Sequence, residues 1–333
     1  MIKKILLSHW TALITLTLVV LVRVIDPSFV ESIRLRYFDT LITAKAPTEN
    51  NIISVNIDED ALDKYGQWPF SRDIYGSIIE DLYQRNAGLV VFNVLMPEKD
   101  RLGGDAALAK TIANNPVIIP SVASIKSKNT PKNPGASVIG ADYADMIVQF
   151  PGIISSIDII SEHAAGVGII NTLPEIDGVN RRLPMLVTAK HTLYPSLSME
   201  VLRVVAGDPS FQVKLNNFGV EKMRIPAFGV ISTDSLSRVW IDWSQHNQSI
   251  SLSQLPNDFG GAIVIVGPTA AGISNPISTP KGPIFPNDIQ AAMIGTMMNK
   301  VTINRPDYSD GAEILVGAVC GILLIIGSLW RKR

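Results

Sequence analysis

Cysteine is almost missing from this chain: Cys320 is the single thiol in 333 residues, so no disulfide within the chain can staple it. Histidine is nearly as scarce. His9, His163, His191 and His246 are scattered, none at the i, i+4 spacing of a helical zinc site, and no metal centre is expected from them. Neither sign of charge is in excess, with 29 Lys and Arg against 30 Asp and Glu and a net charge of −1. With aromatics at 7% and no basic stripe interleaved with rings, a nucleic-acid partner is excluded. The motifs of common enzyme classes are incomplete as well. There is no G-x-S-x-G elbow, and "GVG" at 166–168 lacks the third glycine and following helix of a dinucleotide fingerprint, which makes it a packing strand. "GPTAAGIS" at 267–274 has the glycines of a phosphate-binding loop but Ile273 where the lysine belongs, so Gly267 and Gly272 read as structural, a turn leaving a buried strand.

Apolar sequence, by contrast, is abundant: hydrophobic residues make up 47% and charged residues 18%, and the mean hydropathy is +0.25. Much of the excess sits at the two ends. Residues 5–25, "ILLSHWTALITLTLVVLVRVI", match the ~20 residues that a bilayer-spanning helix needs. A secretory signal peptide is the competing reading, but its apolar region is shorter and a small-x-small site follows it, whereas "VRVIDPSFVES" follows here; an uncleaved anchor is the expectation. Arg23 lies near one end, where its head can snorkel to the interface. Residues 312–330, "AEILVGAVCGILLIIGSLW", form a second run, closed by Arg331, Lys332 and Arg333. Lys3 and Lys4 flank the first run, and basic flanks face the cytoplasm. The expected organisation is a cytoplasmic N-terminus (1–4), a transmembrane helix (5–25), a periplasmic domain (30–310), a second transmembrane helix (312–330) and a cytoplasmic basic end (331–333). Gly317 and Gly321 give the second span the G-x-x-x-G spacing of close helix packing, either between two copies of the chain or between its own two spans.

Between the spans, short β-rich runs alternate with helix-like ones: "IISVNI" (52–57), "SRDIYGSIIEDLYQRN" (71–86), "LVVFNVL" (89–95), "DAALAKTIAN" (105–114) and "PVIIP" (116–120). Alternation of this kind predicts an α/β fold, a parallel or mixed sheet flanked by helices, with strands apolar throughout because both faces are covered. Ser71 is placed to cap the first helix. The polar stretch 124–137 reads as a surface loop that divides two lobes. Further strands are expected at "AAGVGIIN", "RRLPMLVTA" and "GGAIVIVG", and helices at "YPSLSMEVLRVVAG" and "NDIQAAMIGTMMNK".

Chemistry concentrates in "DEDALDKYGQWPFSR", residues 58–72, after the first strand. Ligands of open α/β sheets bind outside the carboxyl ends of strands, where Asp58 and Glu59 could hold a cation or an amine. The alternative is that Asp58 caps the next turn and Glu59 and Asp60 are solvated. Trp68 and Pro69 suit packing over the sheet end. Arg72 stands at a helix N-terminus, against the dipole, and needs a carboxylate partner, for which Asp58 and Asp39 are the candidates.

"RYFDTL" (36–41), "IDEDALDKYGQWPFSRDIYGSII" (57–79), "GLVVFNVLM" (88–96), "GGDAALAKTI" (103–112), "AAGVGIINTLPEIDGVNRRLPML" (164–186), "YPSLSMEVL" (194–202) and "GGAIVIVGPTAAGISNPISTP" (260–280) together resemble, in order, the type-two CHASE family of extracellular sensory domains. The resemblance implies a bacterial inner-membrane receptor that perceives a small-molecule or protein signal outside and drives a cyclase or kinase inside. Ligand contacts are expected at Asp58, Glu59, Trp68, Arg72 and Asn93, the last standing where the family commonly has Asp. The family usually carries three spans after the sensor and then the effector; this chain shows one such run, which implies a piece of a longer receptor or a sensor acting through a partner, with a homodimer as a further expectation. No cofactor and no enzymatic activity are expected in these residues. A docking subunit of a membrane complex is the second reading, and a periplasmic hydrolase the third, for which the acids lack an activated nucleophile or metal set.

Overall fold

The computed structural model describes residues 9–140, 146–303 and 308–330. The expected cytoplasmic ends, with Lys3, Lys4 and Arg331–Arg333, and residues 5–8 of the first apolar run lie outside the described residues. The chain forms two compact units, one built from its two ends and the other from Leu41–Asn304.

In the terminal unit, α1 (His9–Ile25) is broken at Asp26-Pro27, because proline cannot donate to the helical ladder. The chain resumes as α2 (Ser28–Thr43) at an angle of 81°. The second apolar run forms a single helix, Ser309–Trp330. Among the described residues it is the one helix long and apolar enough to cross a membrane; α1 and α2 meet that criterion only as a bent pair. The expectation of two flanking transmembrane helices is thus met at one end. α1 packs against this C-terminal helix. Arg23 in the last turn of α1 bonds Glu313 at 2.7 Å and also Asp310, and a Cβ added at Gly321 would fall 2.4 Å from Leu16. The two helices therefore run antiparallel, and the glycine spacing is used in part within the chain: Gly321 is against Leu16, while Gly317 meets nothing within 4 Å.

The larger unit is built on a mixed sheet. In chain order its elements are β1 (Thr48–Ile57), α3 (Glu59–Tyr65), α4 (Arg72–Gln84), β2 (Leu89–Phe92), α5 (Asp105–Asn114), β3 (Val117–Ser124), β4 (Gly152–Ser155), α6 (Asp158–His163), β5 (Gly166–Ile169), α7 (Leu197–Val205), β6 (Gln245–Ser251), β7 (Ile263–Pro268) and α8 (Pro286–Met298); the C-terminal helix Ser309–Trp330 is α9. The strand order is β6-β1-β7-β2-β3-β4, with β5 also paired to β3. All these pairings are parallel except β3 with β4. The apolar runs are continuous because alternate residues enter opposite cores. Val55, Val90, Phe92, Val264 and Val266 face Ile79, Leu82, Leu108 and Ile112 of α4 and α5. Ile52, Val91, Ile118 and Ile265 face Leu197, Val201, Ala291 and Ile294 of α7 and α8. "GVG" is β5, a packing strand: a Cβ at Gly168 would fall 2.4 Å from the Cα of Leu197.

Residues 124–137 do not divide two lobes. The segment stays inside the larger unit, where Lys128 bridges to Ile154 and the Asn129 amide donates to the carbonyls of Pro97 and Ser155. Smaller sheets accompany the main one, and the run "RRLPMLVTA" supplies strand 186–189 to one of them. Strands 211–216, 219–225 and 229–231 associate with 136–140, and 186–189 lies between 149–150 and 192–195.

Candidate functional site at the carboxyl edge of the sheet

The loops leaving the carboxyl ends of β1, β2 and β7 meet at one edge. Asp58 follows β1 and caps α3, accepting from the Ala61 N–H at 3.0 Å and from the Ser251 hydroxyl at 2.8 Å. Glu59, exposed, accepts from the Ala271 N–H at 2.8 Å, and that bond holds its carboxyl below the usual range. After the cis Trp68–Pro69 bond, Ser71 caps α4 by accepting from the Ile74 N–H. Trp68 is half-buried against Phe70 and Tyr75, and Tyr75 packs edge-on against Phe92 at the end of β2. Pro69 is exposed.

Arg72 is buried, but its carboxylate partner is Asp105, 3.2 Å from Nε, and not Asp58 or Asp39. Its Nη2 donates to the Glu98 carbonyl at 3.0 Å and its N–H to Asp100 at 3.2 Å. Asp58 is spent on its cap, and Asp39 lies within α2. The acids that compensate Arg72 come from the loop after β2. Asp100 also accepts the N–H groups of Leu102 and Gly104, and Asp105 accepts the Asp100 N–H. Burial pushes the Asp100 carboxyl up, but these N–H groups and the Arg72 guanidinium together hold it below its ordinary value. "EKDRLGGD", 98–105, carried a legible signal in its acids flanking a Gly-Gly at a helix start.

Asn93 joins a second group on the α8 face. Its amide donates to Asn287 Oδ1 at 2.8 Å, at the start of α8, and both residues are buried. Asn93 Oδ1 and Asn287 Nδ2 have no hydrogen-bond partner among the described residues. Gly267 is required here by close approach: an added Cβ would sit 2.1 Å from Asn287 Oδ1. Gly272, at φ +78°, turns the chain after β7. Asp288 follows, its carboxyl pushed up by burial and partly restrained by the Ser54 hydroxyl. Asn287, Asp288 and Ser54 were not foreseen, because polar residues on distant elements converge only through the strand order.

Beyond the carboxyl end of β5, two ion pairs stiffen the "PEIDGVNRR" segment. Arg181 and Asp177 form a fully buried bidentate pair at 2.8 and 2.8 Å. Arg182 pairs bidentately with Glu175 at 2.6 and 2.7 Å, bonds Asp234 and stacks 4.7 Å from the Trp240 ring. A cleft of about 420 Å³ opens at the opposite, amino edge of the sheet, between Leu89, Val204, Ile263 and Met298. None of the sequence-predicted site residues lines it.

The family model of the CHASE2 domain matches residues 14–327. The chain belongs to the CHASE2 family. CHASE2 is an extracellular sensory domain family found in signalling proteins. No match is found among the curated proteins or the solved structures. The CHASE2 match includes most of α1 and α9 as well as the α/β unit between them.

Proposed function

We propose that this chain is a membrane-anchored periplasmic sensor module of a bacterial signal-transduction receptor, relaying a signal across the inner membrane to a cyclase- or kinase-type output. One observation carries the reading: the CHASE2 match runs continuously from the first apolar helix through the α/β unit into the last. The first apolar run, 5–25, and α9 act as the two spans. The basic residues at both ends, Lys3, Lys4 and Arg331–Arg333, support an outside position for the α/β unit.

The module has no enzymatic activity of its own on this reading. Asp58, Glu59, Asp100 and Asp105 are engaged in a cap, backbone acceptance and the Arg72 contacts. Signal perception is assigned to the same edge, where the buried Asn93 and Asn287 leave one acceptor and one donor unpaired among the described residues.

The test joins topology to output. Alkaline phosphatase inserted near residue 130 is expected to be active, and the same enzyme fused after Arg333 inactive; activity at both sites would sink the two-span topology. A diguanylate cyclase fused after Arg333 should change its output when Asn93 is replaced by Ala. Constant output across corner variants and growth conditions would remove the relay.

A further inference from the structure

α2 follows the first apolar helix at 81° and is apolar on opposite faces. On one face Leu35 and Ile42 are buried, at 6% and 4% exposure. On the other, Phe29, Ile33, Tyr37 and Leu41 recur every fourth residue and stand exposed at 74%, 54%, 68% and 55%. At about 100° per residue these side chains and Val30 fill an arc of about 120°, wide enough to be a seating surface. Arg36 and Arg34 lie at the two borders of that arc. Arg34 is held by Asp26 and Glu31, while Arg36 is exposed.

We propose that α2 is an interfacial helix whose face of Phe29, Ile33, Tyr37 and Leu41 rests in the outer leaflet of the bilayer that α1 crosses. The inference rests on the reading of α1 as a span. A helix bent by 81° from a segment standing near the bilayer normal lies close to the bilayer plane. The continuity of the chain through Asp26-Pro27 fixes the start of α2 at the membrane surface. An apolar arc bordered by cations, with a tyrosine inside it, is the chemistry of a helix lying among lipid headgroups. The occupant is therefore lipid and not a second protein surface. β1 begins at Thr48, shortly after α2 ends at Thr43, so a short connection joins the lipid-seated helix to the strand that leads into Asp58.

The test uses the full chain with Cys320→Ser, reconstituted in vesicles of phosphatidylcholine and phosphatidylglycerol. Single cysteines bearing a nitroxide are placed at 18, 29, 32, 33, 36, 37, 40, 41 and 218. Collision with oxygen is compared with collision with a water-soluble nickel chelate. Positions 29, 33, 37, 40 and 41 should favour oxygen at least several-fold over position 218, with 36 at the border intermediate and 32 beyond it lower, giving a helical period and a depth of about 5–10 Å. Water access at 33 and 37 with lipid access at 18 would overturn this inference and leave the span intact. Water access at 18 as well would overturn both. Uniform lipid access from 29 to 41 would make α2 an inserted segment, and spin-spin coupling between copies at position 33 would make the face a protein interface; either result rejects the lipid seat.

Discussion

Arg72 and Asp105 lie 3.2 Å apart across the corner between α4 and α5, joining the loop after β1 to the loop after β2. The guanidinium stands at a helix N-terminus, where the dipole disfavours it, and Asp105 and Asp100 compensate. Arg72→Ala should cost about 3 kcal/mol, because it leaves the half-buried Asp100 and Asp105 carboxylates without their buried cation. In a unit of this size that lowers Tm by roughly 6–12 °C. Asp105→Asn should cost a similar amount, and the double variant less than the two losses added, as measured by thermal melts of the four-member cycle. Additive losses would show that the pair does not act as a unit.

Asn93 and Asn287 are each other's buried partner. Asn93→Leu alone should cost about 1–3 kcal/mol by leaving the second amide unpaired, whereas Asn93→Leu with Asn287→Leu should recover most of that loss. Urea melts decide it. The double variant, folded but without its free donor and acceptor, is expected to be silent in the cyclase-fusion assay.

Gly267→Ala drives a methyl into Asn287 Oδ1. Overpacking at a closed site costs about 1–3 kcal/mol. Asn287→Ala added to Gly267→Ala should relieve the clash, so that Gly267→Ala costs less in that background than in the native one. An equal cost in both would place the strain in the backbone of β7.

The Asp177 carboxyl is held below its ordinary value chiefly by the Arg181 guanidinium. Its contribution to stability is full above the unfolded carboxyl range near pH 4 and is lost as pH falls through the lower folded value. The native chain should lose stability more steeply below about pH 4 than Asp177→Asn, followed by melts from pH 6 to 2.5. Parallel curves would show that the pair does not persist in solution.

Leu16 seats on Gly321 within one chain. Leu16→Cys with Gly321→Cys, in a Cys320→Ser background, should oxidise to a crosslink that keeps the monomer mass. A crosslink found only at dimer mass would assign the glycine face to a second copy. Gly321→Ile should weaken the α1–α9 pairing while Gly317→Ile leaves it unchanged.

The strands and helices that build the main sheet were legible from composition and spacing alone. β1, β2, β3 and β7 are runs of branched apolar residues, and Ser71 announces α4, because these features act over a few residues and depend on no distant partner. The short strands from 211 to 251 were not named. Their alternation, as in Phe211, Val213 and Leu215, is broken by turns and becomes decisive only when 136–140 supplies a neighbour. Local sequence also determined that Arg72 needs an acid, since a cation at a helix N-terminus is unfavourable whatever the fold. The choice of Asp105 over Asp58 belonged to the tertiary structure. Asp58 is drawn into its own cap by the Ala61 N–H, while the strand order sets β2 one strand beyond β7 and so carries residues 98–105 over the start of α4. Asn93 met Asn287 for the same reason: residues far apart in the chain share an edge only when the sheet has closed around them.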